Sequence, residues 1–175
     1  MRHLLPTYER HQYKGQGGKV AVIGGSKTYT GAPYFAAIAS LRTGADLAFV
    51  YCHEEAAIPI KSYSPEIIVN SIFSKMPKEP QVKPALEIAK SIVMGPGLGR
   101  QPFAEEVFQA TLGEMTRLLE ERETPRKISL ILDADALWQV MNHYEVILPK
   151  FKQMSRRQDI ILTPNLIEFK RIWQA

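Results

Sequence analysis

The stretch Ile92-Val-Met-Gly95-Pro-Gly97-Leu-Gly99-Arg100 constrains the fold of this chain more than any other. Three apolar residues lead directly into a loop that has glycine at every second position. Because glycine has no Cβ, its backbone adopts positive φ values and approaches a ligand closely. In α/β proteins, phosphates and nucleotides bind in loops beyond the carboxyl ends of buried strands. The stretch therefore predicts a strand end at a nucleotide-binding cleft.

A tight strand-to-helix connection without any ligand is the alternative for this loop. Three glycines exceed what a simple turn requires, which favours a ligand. The loop does not match the dinucleotide fingerprint, because Arg100 occupies the position of the third glycine and Pro96 breaks the expected turn. A Rossmann dehydrogenase is disfavoured on that ground.

Apolar runs alternate with helical patterns along the rest of the chain. Such alternation predicts an α/β fold, with a mostly parallel sheet and helices on both faces. An amino-terminal arm (residues 1–16) and a surface loop (residues 74–81) are predicted outside it. The predicted strands are residues 19–23, 46–52, 66–70, 91–94, 128–132 and 159–162, and the predicted helices begin near residues 30, 54, 84, 102, 133 and 164.

A second glycine loop, Gly24-Gly25-Ser26-Lys27, follows the first predicted strand. It lacks the earlier glycine that a Walker phosphate loop requires. The polar residues at 26 and 28–30 either line the same cleft or cap the next helix, and the sequence leaves both open.

Two further strand ends carry polar residues. Asp133 and Asp135 lie two apart, so they share one side if strand geometry persists. We expect one of them to be a helix N-cap and the other to lie near Mg²⁺ or a substrate hydroxyl. Asn165 and Glu168 have the spacing of a capping box, although they also suit a phosphate or substrate site at a helix start. Our hypothesis is that these ends meet the glycine loop in one nucleotide cleft.

Composition narrows the function classes. The chain has 175 residues, a formal net charge of +4 and a pI near 9.2, which suits one domain. Its basic residues are scattered, so no nucleic-acid partner is expected, and no apolar run is long enough to span a membrane. Without a targeting signal at the amino terminus we expect a cytoplasmic protein, or a mitochondrial form if a leader is missing.

Cysteine and histidine usage excludes further chemistry. Cys52 is the single cysteine, so an internal disulfide and a cysteine-cluster zinc site are ruled out, and its place at the end of an apolar run predicts a buried thiol. The four histidines lack metal-ligand spacing. We therefore assign no metal-ligating residue within the chain.

The carboxyl-terminal residues from Leu166 to Trp173 combine into an apolar helical face without a C-cap signal. Such a face normally packs beneath a further strand. We expect residues 1–175 to be a single but partial domain, incomplete at its carboxyl terminus.

Taken together, these stretches resemble the ATP-dependent NAD(P)H-hydrate dehydratases of the ribokinase-like superfamily. The matching stretches follow the family's order along nearly the whole chain. They are Lys14-Gly-Gln-Gly17, Val22-Ile-Gly-Gly25, Tyr29-Thr-Gly-Ala-Pro-Tyr-Phe-Ala-Ala37, Gly44-Ala-Asp46, Tyr63-Ser-Pro-Glu66, Met94-Gly-Pro-Gly-Leu-Gly-Arg100, Leu132-Asp-Ala-Asp-Ala-Leu-Trp138 and Leu162-Thr-Pro-Asn-Leu-Ile-Glu-Phe169.

The resemblance implies repair of a damaged cofactor. Its substrate is the S-epimer of NADHX or NADPHX, which carries a hydroxyl at C6 of the nicotinamide ring. With ATP and Mg²⁺ the family removes that hydroxyl as water and returns NADH or NADPH. The resemblance implies substrate contacts at Gly97, Asn165, Leu166, Ile167, Glu168, Phe169, Lys170 and Arg171, and we add Gly95, Gly99, Asp133, Asp135 and Tyr29 as residues of the cleft.

The family's later Lys-Gly-x-x-Asp segment and Gly-Gly-x-Gly-Asp loop have no counterpart in this sequence. The resemblance places the ATP phosphates and the catalytic aspartate in that second loop, so we expect the catalytic aspartate to lie beyond Ala175 and assign no catalytic residue within the chain. Since phosphoryl transfer depends on such positioning, we expect this chain to bind ATP poorly and not to turn over. A non-catalytic nucleotide-binding fragment and a small-molecule kinase of the same superfamily remain alternative functions. The sequence leaves the oligomeric state open, and it is compatible with a homo-oligomer.

Overall fold

The computed structural model describes residues 15–73, 81–121, 127–156 and 158–174. Six parallel strands form one sheet in the order β3-β2-β1-β4-β5-β6, which confirms the predicted sheet. Most of the predicted arm and of the predicted surface loop lies outside these residues. The strands are β1 (Lys19–Ile23), β2 (Leu47–His53), β3 (Ile67–Phe73), β4 (Ser91–Met94), β5 (Ser129–Leu132) and β6 (Ile160–Leu162).

Seven helices connect and flank the described strands. One of them, α6, is absent from the sequence-based prediction. Its buried residues Ile147 and Met154 and the partly buried Phe151 have helical spacing, but Pro149 inside the segment obscures the pattern. The helices are α1 (Gly31–Arg42), α2 (Glu54–Tyr63), α3 (Lys83–Ile88), α4 (Pro102–Glu121), α5 (Asp135–Asn142), α6 (Tyr144–Met154) and α7 (Leu166–Gln174).

Each face of the sheet has its own hydrophobic core. Helices α1 and α2 pack on residues such as Val22 and Val50, whereas α3 to α6 pack on residues such as Ile92 and Leu130. The two sets separate because successive residues of a strand point to opposite faces. Helices on both faces are what continuous apolar strands require.

The strand order reverses beside β1. From β1 the chain moves outward to β2 and β3, then returns to β4 on the other side and continues to β5 and β6. The helices that follow β1 and β4 therefore lie on opposite faces of the sheet, and a crevice opens beyond the carboxyl ends of these strands. Both glycine loops, after β1 and after β4, lie at that crevice.

The β6–α7 end of the sheet is the least covered part. Ile161 and Leu162 are exposed, and Leu166 and Trp173 of α7 have exposed fractions of 70% and 81%. Only Ile172 of α7 packs against the core to which α3 to α6 contribute. Within the described residues, no helix is long and apolar enough to cross a membrane.

The expected position of the catalytic aspartate is not tested by the structure. Ala175, beyond which the resemblance places that aspartate, itself lies outside the described residues, which end at Gln174. The position of a catalytic aspartate relative to the sheet therefore stays a prediction.

Candidate functional site

The loop after β4 lies directly against the exit of β5. Gly95 has a φ of +117°, and a Cβ atom at this position would lie 1.8 Å from the carbonyl oxygen of Asp133. The Leu98 N–H donates to the Gly95 carbonyl across 3.0 Å, and the Leu98 side chain is fully buried. Gly95 is therefore needed for the close approach of two strand ends, and it lies behind the cleft instead of in its wall.

The same loop also packs against the loop after β1. The Gly25 N–H donates to the Pro96 carbonyl across 3.0 Å. Gly97 has a φ of +63°, and a Cβ atom there would lie 2.9 Å from the Tyr29 carbonyl oxygen. The two glycine loops predicted from the sequence thus interlock at the point where the strand order reverses.

A cavity of about 740 Å³ opens between these loops. Its volume falls in the range of about 300–1,000 Å³ that is typical of small-molecule sites. Of the predicted cleft residues, Tyr29, Gly97, Gly99 and Asp135 line it. The other lining residues are Ser26, Lys27, Thr28, Ala32, His53, Glu55, Arg100, Gln101 and Phe103.

The loop after β1 contributes wall residues and no helix cap. Ser26, Thr28 and Tyr29 line the cavity, whereas the N-cap residue of α1 is Thr30, whose side chain makes no capping bond. The Thr30 hydroxyl instead forms a hydrogen bond of 2.7 Å with the Tyr63 hydroxyl. Three of the four residues for which the sequence left two roles open therefore lie in the cleft wall.

Asp135 fastens the glycine loop to α5. Its Oδ2 atom accepts the Gly99 N–H across 2.8 Å, and its Oδ1 atom lies 3.4 Å from Nε of Arg100. Both oxygens are thus engaged within the protein. The expectation that one of the two aspartates caps a helix is wrong, because Ala134 precedes α5 and no side chain caps it.

Asp133 does not line the cavity, although we predicted it there. Its Oδ1 atom accepts a hydrogen bond of 2.8 Å from the Thr163 hydroxyl and so ties β5 to β6. Ala134 between the two aspartates has a φ of +47°, so the strand geometry ends before Asp135. The two carboxylates therefore part, one toward β6 and one toward the glycine loop.

Asn165 and Glu168 form a capping box at the start of α7. Asn165 Oδ1 accepts the backbone N–H groups of Ile167 and Glu168 across 2.9 and 3.0 Å. Glu168 Oε2 in turn accepts the Asn165 N–H across 2.9 Å. These residues follow β6 at the same edge of the sheet as the cleft, but residues 165–171 do not line the cavity.

Several wall residues were missed by reasoning from the sequence. His53 accepts the Glu55 N–H at Nδ1 across 3.2 Å, and its ring lies 5.2 Å from that of Phe103. Lys27 lies 3.5 Å from Glu55. The signal available was position, because His53 ends a strand that pairs with β1 and Phe103 follows the glycine loop.

The described residues do not form a metal site. No group of three or more metal-ligating side chains is found among them. Of the two carboxylates in the cavity wall, Asp135 contacts Gly99 and Arg100, and Glu55 lies 3.5 Å from Lys27. We therefore derive no step through a protein-bound metal.

Cys52 is a buried structural thiol, as predicted. Burial raises its pKa to about 12, and the nearby Lys61 charge opposes that rise only in part. Since the thiolate is the nucleophilic form, Cys52 does not supply a nucleophile to the cleft.

Comparison with known proteins assigns the family. The family model described as NAD(P)H-hydrate dehydratase matches residues 20–175. The chain belongs to the NAD(P)H-hydrate dehydratase family. This assignment confirms the resemblance carried by the sequence motifs.

Two curated relatives of this dehydratase-family chain have the same name. A protein of Entamoeba histolytica named ATP-dependent (S)-NAD(P)H-hydrate dehydratase is 44% identical over 172 residues, covering 98% of this chain and 52% of the relative. A mouse protein of the same name is 39% identical over 175 residues, covering 100% of this chain and 47% of the relative. The chain spans about half the length of the curated relatives it matches.

Solved structures confirm the ribokinase-like fold of this dehydratase-family chain. A ribokinase-like superfamily protein from Enterococcus faecalis matches with a TM-score of 0.73 at 22% identity, covering 96% of this chain and 52% of its own. The ADP/ATP-dependent NAD(P)H-hydrate dehydratase of Bacillus subtilis, co-crystallised with ATP/Mg²⁺, matches with a TM-score of 0.61 at 22% identity, covering 96% and 51%.

Proposed function

We propose that the chain binds the S-epimer of NADHX or NADPHX in the cleft and supplies the substrate-binding part of an ATP-dependent dehydratase. The proposal is carried by one observation: two interlocked glycine loops form the wall of a cavity where the strand order reverses. Ligands of open α/β sheets bind at such points. The names of the relatives supply the substrate class.

The reaction that this proposal serves removes one hydroxyl. ATP phosphorylates the hydroxyl on C6 of the reduced ring and leaves as ADP. The C6–O bond then breaks, phosphate leaves, and loss of a proton from the neighbouring carbon C5 forms the C5–C6 double bond. Within this scheme Gly97 has a steric role. Its lack of a Cβ atom lets the loop lie against the Tyr29 carbonyl, so that the backbone itself forms the wall against which the nicotinamide portion would bind. ATP is the proposed co-substrate, with Mg²⁺ carried on its phosphates.

Residues 165–171 are proposed to contact the part of the substrate that projects from the cavity. They follow β6, which pairs in parallel with β5, so they emerge on the same side of the sheet as Asp135. Leu166, Ile167 and Phe169 are exposed and offer apolar surface to a ring of the dinucleotide. The side chains of Asn165 and Glu168 support this contact by capping α7.

A non-catalytic nucleotide-binding role is the second candidate. It requires only the cavity between the two glycine loops and assigns no catalytic group to the described residues. Under this interpretation the cleft binds the hydrate without converting it.

Two measurements on the same samples test the proposal. Calorimetric titration with NADHX reports binding, and the absorbance of the reduced nicotinamide reports repair after ATP and Mg²⁺ are added. We expect saturable binding of NADHX without recovery of NADH. Absence of binding would contradict the proposed function, whereas rapid recovery of NADH would contradict only our expectation that this chain does not turn over.

A further inference from the structure

Arg100 stands out among the cleft residues because its position is fixed from two sides. Its Nε atom lies 3.4 Å from Oδ1 of Asp135, and the centre of its guanidinium lies 5.5 Å from the ring centroid of Trp138. Asp135 and Trp138 both belong to α5, one turn apart. A flexible side chain is thus held in one place, which lowers the entropy cost of using it to bind a ligand.

Arg100 has hydrogen-bonding capacity left for a ligand. Its side chain has an exposed fraction of 58% and lines the cavity, and its hydrogen bond and ion pair with the described residues use Nε, not the two terminal nitrogens. A guanidinium presents paired N–H groups in a rigid fork that matches two oxygens of a phosphate. Asp135 engages only the Nε–H of this fork, so the N–H groups of the two terminal nitrogens remain for a ligand.

We propose that Arg100 binds a phosphate group of the dinucleotide substrate and that Asp135 is its positioning residue. This inference rests on the proposed function and adds the contact that recognises the diphosphate. Lys27 lines the same cavity from the loop after β1, where it is highly exposed and only loosely paired with Glu55. Lys27 is therefore a secondary cation, whereas Arg100 is the oriented one.

Calorimetric titration of the 175-residue chain with inorganic diphosphate, and separately with NADHX, tests this inference. Arg100→Gln should weaken diphosphate binding by about tenfold or more, the loss expected for a charge-assisted hydrogen-bond pair. The diphosphate affinity of Arg100→Lys should lie between those of the wild-type chain and Arg100→Gln, since an ammonium keeps the charge but lacks the paired N–H groups of a guanidinium. Arg42→Gln is the matched control, because it removes the same charge from an exposed site on the last turn of α1.

Two readouts separate binding from a merely structural role. Arg100→Gln should melt within the error of the wild-type chain, since the side chain is largely exposed, and it should reduce the salt dependence of diphosphate binding. Asp135→Asn should weaken diphosphate binding less than Arg100→Gln, and the double variant should lose no more than Arg100→Gln alone. Additive losses in the double variant would contradict the positioning role of Asp135.

The possible failures are distinguishable. Failure of the wild-type chain to bind diphosphate, or equal affinities for Arg100→Gln and Arg42→Gln, would overturn the inference. If NADHX binds equally well to both of these variants, the proposed function stands and Arg100 is not its phosphate contact. If diphosphate binding follows Arg100 but NADHX does not bind, the phosphate site stands and the proposed function fails.

Discussion

The cleft end and the β6–α7 end of the sheet use the same kind of polar strand-end residues in opposite ways. At the cleft, Asp135 reaches across to a different loop and holds Gly99 and Arg100 beside a large cavity. At the β6–α7 end, Asn165 and Glu168 satisfy each other's backbone groups within one helix turn. Polar residues after a strand thus either join separate loops, as Asp135 does, or cap their own helix, as Asn165 and Glu168 do.

The two ends also differ in how their apolar residues are covered. Leu98, inside the glycine loop, is fully buried, whereas Leu166 and Trp173 of α7 are largely exposed. The cleft end is therefore stabilised by long-range packing, and α7 depends more on its local cap. Substitutions at the two ends should differ in size accordingly.

The largest expected effect is at Gly95. In Gly95→Val the new side chain would collide with the Asp133 carbonyl and adopt an unfavourable φ, so we expect a loss of about 4 kcal/mol or more in the free energy of unfolding. Urea denaturation monitored by circular dichroism measures it. Gly113→Ala is the control of opposite sign, because no atom lies near that position within α4, and it should add about 0.5–1 kcal/mol.

Gly97→Ala should affect stability less and binding more. The Cβ atom would lie 2.9 Å from the Tyr29 carbonyl in a left-handed conformation, which predicts a loss of about 1–3 kcal/mol. Because Gly97 forms part of the cavity wall, NADHX binding should weaken even under conditions in which the variant remains folded. Unchanged affinity for NADHX would remove Gly97 from the site.

Asn165→Ala tests the β6–α7 end. Loss of this N-cap should lower the free energy of unfolding by about 1 kcal/mol, which urea denaturation measures. It should also reduce the helicity of α7. Affinity for inorganic diphosphate should stay unchanged, because Arg100 lies in the other region. Glu168→Gln is the conservative control, since glutamine also serves in a capping box. A diphosphate effect of Asn165→Ala would show that the two ends are coupled.

Glu114→Gln should have the smallest effect on the free energy of unfolding. Because Glu114 lies in α4, away from both compared regions, this variant serves as a reference. A hydrogen bond from Arg117 is the main cause that lowers the pKa of Glu114. A lowered pKa stabilises the fold above the ordinary carboxyl pKa, and this contribution is lost as pH falls through the lower value. Glu114→Gln should cost only about 0.2–0.5 kcal/mol at neutral pH and should flatten the acid loss of stability below about pH 4, as followed by urea denaturation at several pH values.

Much of the fold could be predicted from local sequence patterns. Continuous apolar runs such as residues 19–23 and 91–94 identify strands covered on both faces, and the confirmed parallel order follows from their alternation with helices. The interlocking of the two glycine loops was anticipated only as a shared cleft. Its geometry depends on contacts such as Gly25 to Pro96, between residues far apart in the sequence.

The remainder of the site could not be predicted because it depends on long-range partners. Asp133 and Asp135 look equivalent in the sequence, yet Asp133 accepts a hydrogen bond from Thr163 and Asp135 accepts one from Gly99. In the sequence, Arg100 departs from the dinucleotide fingerprint and ends the Met94–Arg100 family stretch, and neither feature indicates a ligand contact. Its contact with Trp138 becomes visible only when α5 is placed beside the loop after β4.

A crystal structure of the chain with NADHX bound would show directly whether the cavity is the substrate site. We expect density for the hydrate to fill the cavity between the loops after β1 and β4, with the nicotinamide portion against Gly97 and a phosphate beside Arg100. Density for the hydrate at any other surface, with this cavity unchanged, would contradict it.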